Sequence, residues 1–330
     1  MKKFFIALIL LFTTVIASGA EVTTEVSPPS FSHEGGFYTT SFDLELSSTE
    51  KHIYYTLNGS EPDPVKNPEN TYKYVSKIQI KKPSGDDVYA TIASNPSFEL
   101  KQNFNGYRRE SRGWLPPYSN SNKAVVIRAI SMNDKGEKSV IVTNTYFIEY
   151  TGRDRYTLPV LSITSDPEGL FSDSKGILVP GTSSTPNYER RGDDWERVAN
   201  IELYDTNNEK VVSSPVGIRV RGGGGRHSTQ KSLTVNPRKR YGNSKIKNTF
   251  FDDTTAKKYG KFILRNGGQG PNHMGFDDFA GKLAMDNGLD SQHVKHVVTF
   301  IDGEYWGIYS MKETADADYL EATYQAPKEN

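Results

Sequence analysis

Residues 219–235 read RVRGGGGRHSTQKSLTV, and this stretch predicts a β-hairpin with a glycine-dense turn. Ile218 and Val220 lie on one face of the first strand, because successive side chains of a strand alternate between its two faces. By the same alternation, Lys231 shares a face with the apolar residues of the second strand. We therefore expect Lys231 to be partly buried, where an ammonium group is costly unless an anion meets it.

The hairpin opens a strongly basic stretch. Between Arg219 and Asn248 there are nine Lys or Arg residues and no Asp or Glu. A glycine-dense turn lets backbone N–H groups approach a phosphate closely. The stretch lacks the third glycine of GxGxxG and the GK[ST] of a P-loop. From the residues alone, it is either a phosphate-binding loop or a mobile surface hairpin with a basic rim.

The N-terminus has the pattern of a secretory signal. A basic start at residues 1–3 precedes an apolar run at 4–16 and the small residues 17–20. The apolar run is shorter than the ~20 residues that span a bilayer, so we expect a signal peptide at 1–20 with cleavage after Ala20. The sequence thus predicts a secreted or cell-envelope protein with no membrane span after cleavage.

Composition favours a β-rich protein of about two domains. The chain has 330 residues with 19 Tyr and 16 Phe, at ~150 residues per domain, and aromatic residues favour strands. Its 40 basic residues equal its 40 acidic ones. An exported chain of zero net charge, with only Tyr241 and Phe250 as stacking partners near the basic stretch, is not expected to bind nucleic acid. The absence of cysteine excludes disulfides and thiolate metal sites.

Residues 21–150 alternate short apolar runs with turn signals. Strands are predicted at 42–46, 53–57, 123–130 and 140–148, a spacing typical of a small β-sandwich. The polar segment between the second and third of these strands is interpreted as long loops with one or two edge strands. A linker is predicted at residues 151–157.

Residues 158–330 predict a mixed α+β domain. Buried-type strands are expected at 158–163, 198–203 and 213–220. Residues 276–285 form a helix with Phe276, Phe279, Ala280, Leu283 and Ala284 on one face. Residues 293–301 and 304–312 form a hairpin around Asp302-Gly303. On such a strand His293 and His296 face opposite sides, so no metal site is expected there.

The first domain resembles the Fn3-like sandwich appended to chitobiases and related surface proteins. The resemblance rests on GGFY at 35–38, IYYTLNGSEP at 53–62 and VIRA at 126–129, and it covers roughly 27–149. It implies an accessory module, either a spacer or a weak carbohydrate-contacting unit. Three tyrosines are interpreted as core and edge packing in preference to a sugar platform: Tyr38, Tyr54 and Tyr55.

The second domain resembles the CotH kinase family. GIRVRGGGGRHSTQKSLTV at 217–235, KFILRNGG at 261–268, the helix after it and FIDGEYWGIYSMKE at 300–313 occur in the family's order, and the resemblance covers roughly 158–325. It implies an atypical protein kinase that uses ATP with Mg²⁺ or Mn²⁺. The implied partners are the nucleotide and a surface or coat protein whose serines are phosphorylated.

The resemblance also implies which residues bind the nucleotide. Lys231 matches the lysine after the family's loop, Arg265 and Asn266 match its LRN motif, and Glu313 closes its GxYWGxYxxxE strand. An ion pair of Arg265 with Asp277 or Asp278 is the alternative to ligand contact. Glu313 either contacts the nucleotide or pairs with a lysine. The full implied set is Arg221, Gly223, Gly224, Arg226, Lys231, Arg265, Asn266 and Glu313.

The catalytic residues themselves are not identified. The family's metal-binding and catalytic aspartates are expected beyond residue 330, and the nearest candidates, Asp316 and Asp318, are interpreted as the start of a helix. The sequence thus predicts an incomplete atypical protein-kinase-like domain, truncated at its C-terminus and without metal ligands. The alternative is a non-catalytic surface, coat or carbohydrate-contacting scaffold.

Overall fold

The computed structural model describes residues 26–83, 122–149, 156–228, 230–251, 256–267 and 275–326. The predicted signal peptide lies outside the described residues. None of the helices in these ranges is both long enough and apolar enough to cross a membrane.

The described residues of the N-terminal region form β-strands and turns, as predicted. Its strands are β1 (Ser30–Phe31), β2 (Gly36–Tyr38), β3 (Phe42–Leu44), β4 (Leu46–Ser47), β5 (His52–Thr56), β6 (Tyr72–Lys73), β7 (Ile78–Ile80), β8 (Val125–Met132) and β9 (Val142–Ile148). A five-stranded sheet has the order β2-β9-β8-β5-β6, and the pairs β3-β7 and β1-β4 form two small sheets. Alternate side chains of these sheets, among them Leu44 and Ile127, form one buried core. Tyr38 and Tyr55 pack against this core, in line with their interpretation as packing residues.

The second region is a closed barrel. Its strands and two short outer strands are β10 (Val160–Ser165), β11 (Arg197–Tyr204), β12 (Lys210–Val220), β13 (Leu233–Asn236), β14 (Ile246–Lys247), β15 (Lys258–Tyr259), β16 (Phe262–Arg265), β17 (Val294–Ile301) and β18 (Glu304–Glu313). The barrel order is β10-β11-β12-β13-β16-β18-β17, closed by a parallel pairing of β10 with β17. Closure leaves no exposed sheet edge. The core inside it includes Trp306, Tyr309 and Met311.

Few helices accompany the barrel. They are α1 (Pro167–Phe171), α2 (Phe276–Asp286) and α3 (Ala317–Tyr324), with single 3₁₀ turns at Asn187–Glu189, Asp193–Trp195, Gly224–His227 and Lys239–Tyr241. The protein is therefore mostly β in its described residues. The β17–β18 turn at Asp302-Gly303 is confirmed, with φ of 47° and 80°, the left-handed values that such a two-residue turn requires.

Helix α2 is confirmed at the predicted position, but its apolar face is turned outward. Phe276 and Phe279 are 72% and 69% exposed. The helix instead docks on the barrel by its acidic first turn, where Asp278 is buried against Lys312, Ser310 and His296. Polar contacts of Asp278 therefore hold the helix on the barrel, and the apolar periodicity of its sequence does not predict this docking.

The sandwich packs directly on the barrel. Phe147 of β9 stacks on Phe37 and meets Phe300 of β17 edge-on at a ring distance of 5.0 Å. The Lys123 ammonium forms a buried ion pair with Glu304, at 2.7 Å to Oε1. Backbone bonds next to this pair, including Ala124 N–H to Gly303 O at 2.7 Å, join the two regions further. The two regions thus share one apolar interface, while the predicted boundaries at 150 and 158 stay predictions.

A buried carboxyl group also lies in this interface. Glu202 of β11 accepts a hydrogen bond from Thr145 of β9 at 2.6 Å and from Tyr204 at 3.0 Å. Burial raises the pKa of Glu202 to about 7, against the opposing effect of these bonds and of Lys210. The interface is therefore expected to respond to pH.

Candidate functional site

The predicted glycine-rich hairpin is present. Strand β12 pairs with β13 so that Val220 faces Leu233, and the Arg221 N–H donates to Ser232 O at 2.8 Å. Gly222 has a φ of 113°, which side chains of L-residues rarely allow. At Gly223 and Gly224 an added Cβ would have no neighbour within 4 Å. The loop backbone is therefore open to a ligand on that side.

A cavity of about 530 Å³ lies beside this loop and is lined mainly by arginines. The hairpin contributes Arg219, Val220, Arg221, Gly222, Gly223, Arg226 and Thr234, and the segment between the first two 3₁₀ turns contributes Arg190, Arg191 and Gly192. The structure thus brings together Arg221, Gly223 and Arg226, three of the residues predicted to bind a nucleotide. Gly224 follows directly in the chain but is not among the lining residues.

Arg226 holds the loop in place. Its side chain is buried and donates to Gly222 O at 2.6 Å, Tyr188 O at 2.7 Å and Arg190 O at 3.2 Å. Burial, together with the positive charges of Arg191 and Arg219, lowers the pKa of Arg226 to about 10. The arginines of this cavity therefore repel one another, and an anion would relieve that repulsion.

Arg190 and Arg191 were not predicted as site residues. Arg191 Nη2 donates to Gly222 O at 3.2 Å, so the segment between the first two 3₁₀ turns contacts the glycine-rich loop directly. Arg190 Nη2 donates to Ser183 Oγ at 2.8 Å, and its guanidinium lies 5.1 Å from the ring centre of Trp195. The adjacent basic pair in YERRGDD was a weak signal, because only the pairing of β11 with β12, which sets Arg197 opposite Ile218, brings this segment to the hairpin.

One buried carboxylate balances part of this charge. Glu196 contacts Arg219 at 3.4 Å, Arg238 at 2.8 Å and Arg240 at 2.6 Å, and Tyr241 donates to it at 2.8 Å. Burial opposes ionisation of Glu196, but the hydrogen bonds from Arg238, Tyr241 and Arg240 hold its pKa below the usual range. Glu196 therefore anchors the outer arginines and fixes Arg219 at the edge of the cavity.

Lys231 is buried, which confirms the expectation from strand periodicity. It lies just before β13, and its Nζ donates to Ser228 O at 2.9 Å and sits 4.1 Å from the centre of the Tyr188 ring. Burial lowers the pKa of Lys231 to about 7. Lys231 does not line the cavity. It lies beneath the loop and supports the residue that ends the 3₁₀ turn.

The predicted LRN residues lie on two different sides of the barrel wall. Asn266 donates through Nδ2 to Gln230 O at 2.5 Å and accepts from Ser232 Oγ at 2.9 Å, so it braces the end of the loop. Arg265 forms an ion pair with Asp277 of α2 at 2.9 Å. The structure therefore places Asn266 with the hairpin, and it shows the alternative ion pair for Arg265.

Glu313 lies away from the cavity. In the pairing of β16 with β18, Glu313 stands opposite Phe262, which begins β16, whereas Arg265 ends that strand. Its carboxylate accepts the backbone N–H of His293 at 2.9 Å and contacts the His293 ring through Nδ1. Of the two interpretations of Glu313, the structure shows neither a cavity contact nor a lysine pair among the described residues. It shows a glutamate–histidine pair.

The expectation that His293 and His296 face opposite sides is wrong. Both line a second cavity of about 410 Å³ between α2 and the start of β17. His293 precedes the first residue of β17, so strand alternation does not apply to it. His296 Nε2 contacts Asp278 at 3.1 Å.

The described residues do not fit the divalent cation that the kinase resemblance implies. No group of three or more His, Asp or Glu side chains within them could hold a metal ion. Asp316 caps helix α3 and pairs with Lys261 at 3.1 Å, and Asp318 pairs with Lys245 at 2.9 Å. The interpretation of these aspartates as the start of a helix is confirmed.

Two known protein families match successive parts of the chain. Residues 218–330 match the family of CotH kinase proteins, and residues 43–146 match the Fn3-associated family. The two matches follow each other in the order that the resemblance implies, which confirms the resemblance seen in the sequence. No curated protein matches the chain. Arg190 and Arg191 lie ahead of the segment matched to CotH kinases.

Proposed function

We propose that the chain is an exported CotH-type protein kinase homologue that binds a nucleoside triphosphate at the glycine-rich loop. The observation that carries the proposal is the arginine-lined cavity, into which Arg221, Gly223 and Arg226 of the CotH-matched segment converge. Arginine suits this role because its planar fork donates two parallel hydrogen bonds to phosphate oxygens.

The glycine-rich loop is held in position by hydrogen bonds in the absence of a ligand. Two arginines, Arg191 and Arg226, donate to the same carbonyl of Gly222, which fixes the loop at the cavity. Neither Arg191 nor Arg221 has a carboxylate partner within the described residues. A phosphate chain entering the cavity would therefore pair charges that are already in position, which lowers the ordering cost of binding.

Lys231 has a supporting role in this proposal. Its contacts with Ser228 O and the Tyr188 ring hold the end of the 3₁₀ turn, so its removal would loosen the loop. The family resemblance implies a direct phosphate contact, which would require the ammonium group to leave these partners. Either role makes nucleotide binding depend on Lys231.

For phosphoryl transfer, the family resemblance implies ATP, Mg²⁺ or Mn²⁺, and serines of a surface or coat protein. A metal ion of this kind neutralises and orients the phosphates. The described residues do not form a site for it, so we assign them to binding and orienting the phosphate chain. Export rests on the signal-like residues 1–20, and N-terminal sequencing of the secreted product should begin at Glu21.

Equilibrium dialysis with labelled ATP tests the binding proposal. Arg221→Gln removes one exposed cation from the cavity, and loss of one charge-assisted bond should weaken ATP binding by about tenfold. Lys175→Gln is the matched control, since it removes an exposed cation that pairs with Glu168 elsewhere on the barrel. Equal ATP affinity of Arg221→Gln and wild type would contradict the proposal.

A non-catalytic surface or coat scaffold remains the second candidate. The ion pairs that engage Asp316 and Asp318 favour it, because those carboxylates are already committed to lysines. Incubation with labelled ATP and Mg²⁺ or Mn²⁺ separates the candidates. Label transferred to serine residues would exclude the scaffold, and binding without transfer would support it.

A further inference from the structure

We infer that the cavity recognises the polyphosphate chain of its ligand and not the nucleobase, and that Arg190 and Arg191 are ligand-binding residues. The inference rests on the proposed function and narrows the ligand class. It predicts that ATP, GTP and inorganic triphosphate bind alike. The two arginines precede the CotH-matched segment, so the family match does not assign them.

The composition of the cavity wall is the first support. Its described lining consists of five arginines, three glycines, Val220 and Thr234. Proteins recognise a base by stacking aromatic or guanidinium planes on it and by hydrogen bonds to its edges. The described lining offers guanidinium planes but no aromatic ring, and no carboxamide or carboxylate to accept from a base edge, so none of its side chains distinguishes one base from another. Its donors match phosphate oxygens.

The distribution of charge is the second support. Arg219 is compensated by Asp193 and Glu196, and Arg226 is bonded to backbone carbonyls. Within the described residues, Arg190, Arg191 and Arg221 have no carboxylate partner. Arg190 also keeps a buried Nε with no hydrogen-bond partner. These three cations are suited to a chain of several phosphates.

Fixed geometry is the third support. The carbonyl of Gly222 accepts from Arg191 at 3.2 Å and from Arg226 at 2.6 Å, so one atom joins the two walls of the cavity. The Trp195 ring, with Arg190 and Arg197 at 5.1 and 5.2 Å from its centre, orients the segment that carries Arg190. The spacing of the cations is therefore set before a ligand arrives.

Titration calorimetry of the full chain tests the inference with three probes: ATP, GTP and inorganic triphosphate, at low salt and without metal. We expect their dissociation constants to agree within about threefold, because the shared phosphates make the contacts. Arg190→Gln/Arg191→Gln should weaken all three by about a hundredfold, at about tenfold for each lost charge-assisted bond. Lys51→Gln/Lys175→Gln removes two exposed ion-paired cations as the control and should change nothing.

The outcomes separate the inference from the proposed function. ATP bound more than tenfold tighter than GTP and inorganic triphosphate would overturn base-independent recognition while supporting nucleotide binding. Inorganic triphosphate bound without either nucleotide would overturn the proposed function and leave the polyphosphate site standing. If the double variant melts early, Arg191→Gln alone is decisive, because Arg191 is exposed. Unchanged affinity in that variant would overturn its role.

Discussion

Lys231→Met should stabilise the protein and weaken nucleotide binding. Burial lowers the pKa of Lys231 from its usual 10.5 to about 7. At about 1.4 kcal/mol per pKa unit, keeping the ammonium charged at neutral pH costs about 5 kcal/mol. Methionine has a similar length and no charge. It would forfeit the hydrogen bond to Ser228 O and the contact with the Tyr188 ring, together worth about 3 kcal/mol. We expect a net gain of about 2 kcal/mol at pH 7.

Urea unfolding of the two proteins between pH 7 and pH 10 measures this effect. The folded pKa of Lys231 lies below its unfolded value, so the unfolded state binds more protons in this range and stability rises with pH. Wild type should therefore gain stability from about pH 7 toward 10.5 relative to Lys231→Met. A variant that is less stable than wild type at pH 7, with the same pH slope, would refute the reasoning.

Three further predictions concern the interface and the loop. The pKa of Glu202 is about 7 in the folded state against 4.5 in the unfolded state, so wild type loses up to about 3 kcal/mol of stability as pH rises through this range. Glu202→Gln should remove this loss, and unfolding measured between pH 4.5 and 8 shows whether the dependence of stability on pH flattens. Glu304→Gln should lower the free energy of unfolding by about 3–5 kcal/mol, because it leaves Lys123 buried without its carboxylate. Lys123→Met/Glu304→Leu should leave the free energy of unfolding nearly unchanged, and equal losses of stability in the two variants would contradict this prediction. Gly222→Ala should cost about 1–2 kcal/mol because its φ is 113°, while Gly224→Ala, with open space around its Cβ, serves as the control in thermal melts.

Local periodicity predicted the parts of the fold that depend on neighbours in sequence. Strand alternation around Lys231 predicted that this residue is buried, as it is in the structure. The pair Asp302-Gly303 predicted a tight turn, and both residues have a positive φ. Both follow from backbone geometry over a few residues. The same rules identified the glycine-rich hairpin and the position of α2.

Contacts between residues far apart in the chain determine the parts of the fold that local patterns did not predict. Arg190 reaches the cavity because β11 pairs with β12 so that Arg197 stands opposite Ile218, and no local pattern encodes that pairing. The apolar face of α2 did not predict which side of the helix packs on the barrel, because α2 docks through Asp278, which contacts Lys312 and Ser310. The direct packing of the sandwich on the barrel is likewise not encoded locally, since Lys123 and Glu304 lie far apart in the chain.

We expect a phosphate chain to occupy the arginine-lined cavity. A crystal structure of the full chain with a non-hydrolysable ATP analogue tests it most directly. We expect phosphate oxygens within hydrogen-bond distance of Arg190, Arg191 and Arg221, beside the open backbone of Gly223. Phosphate density elsewhere, with these three side chains unliganded, would contradict the account.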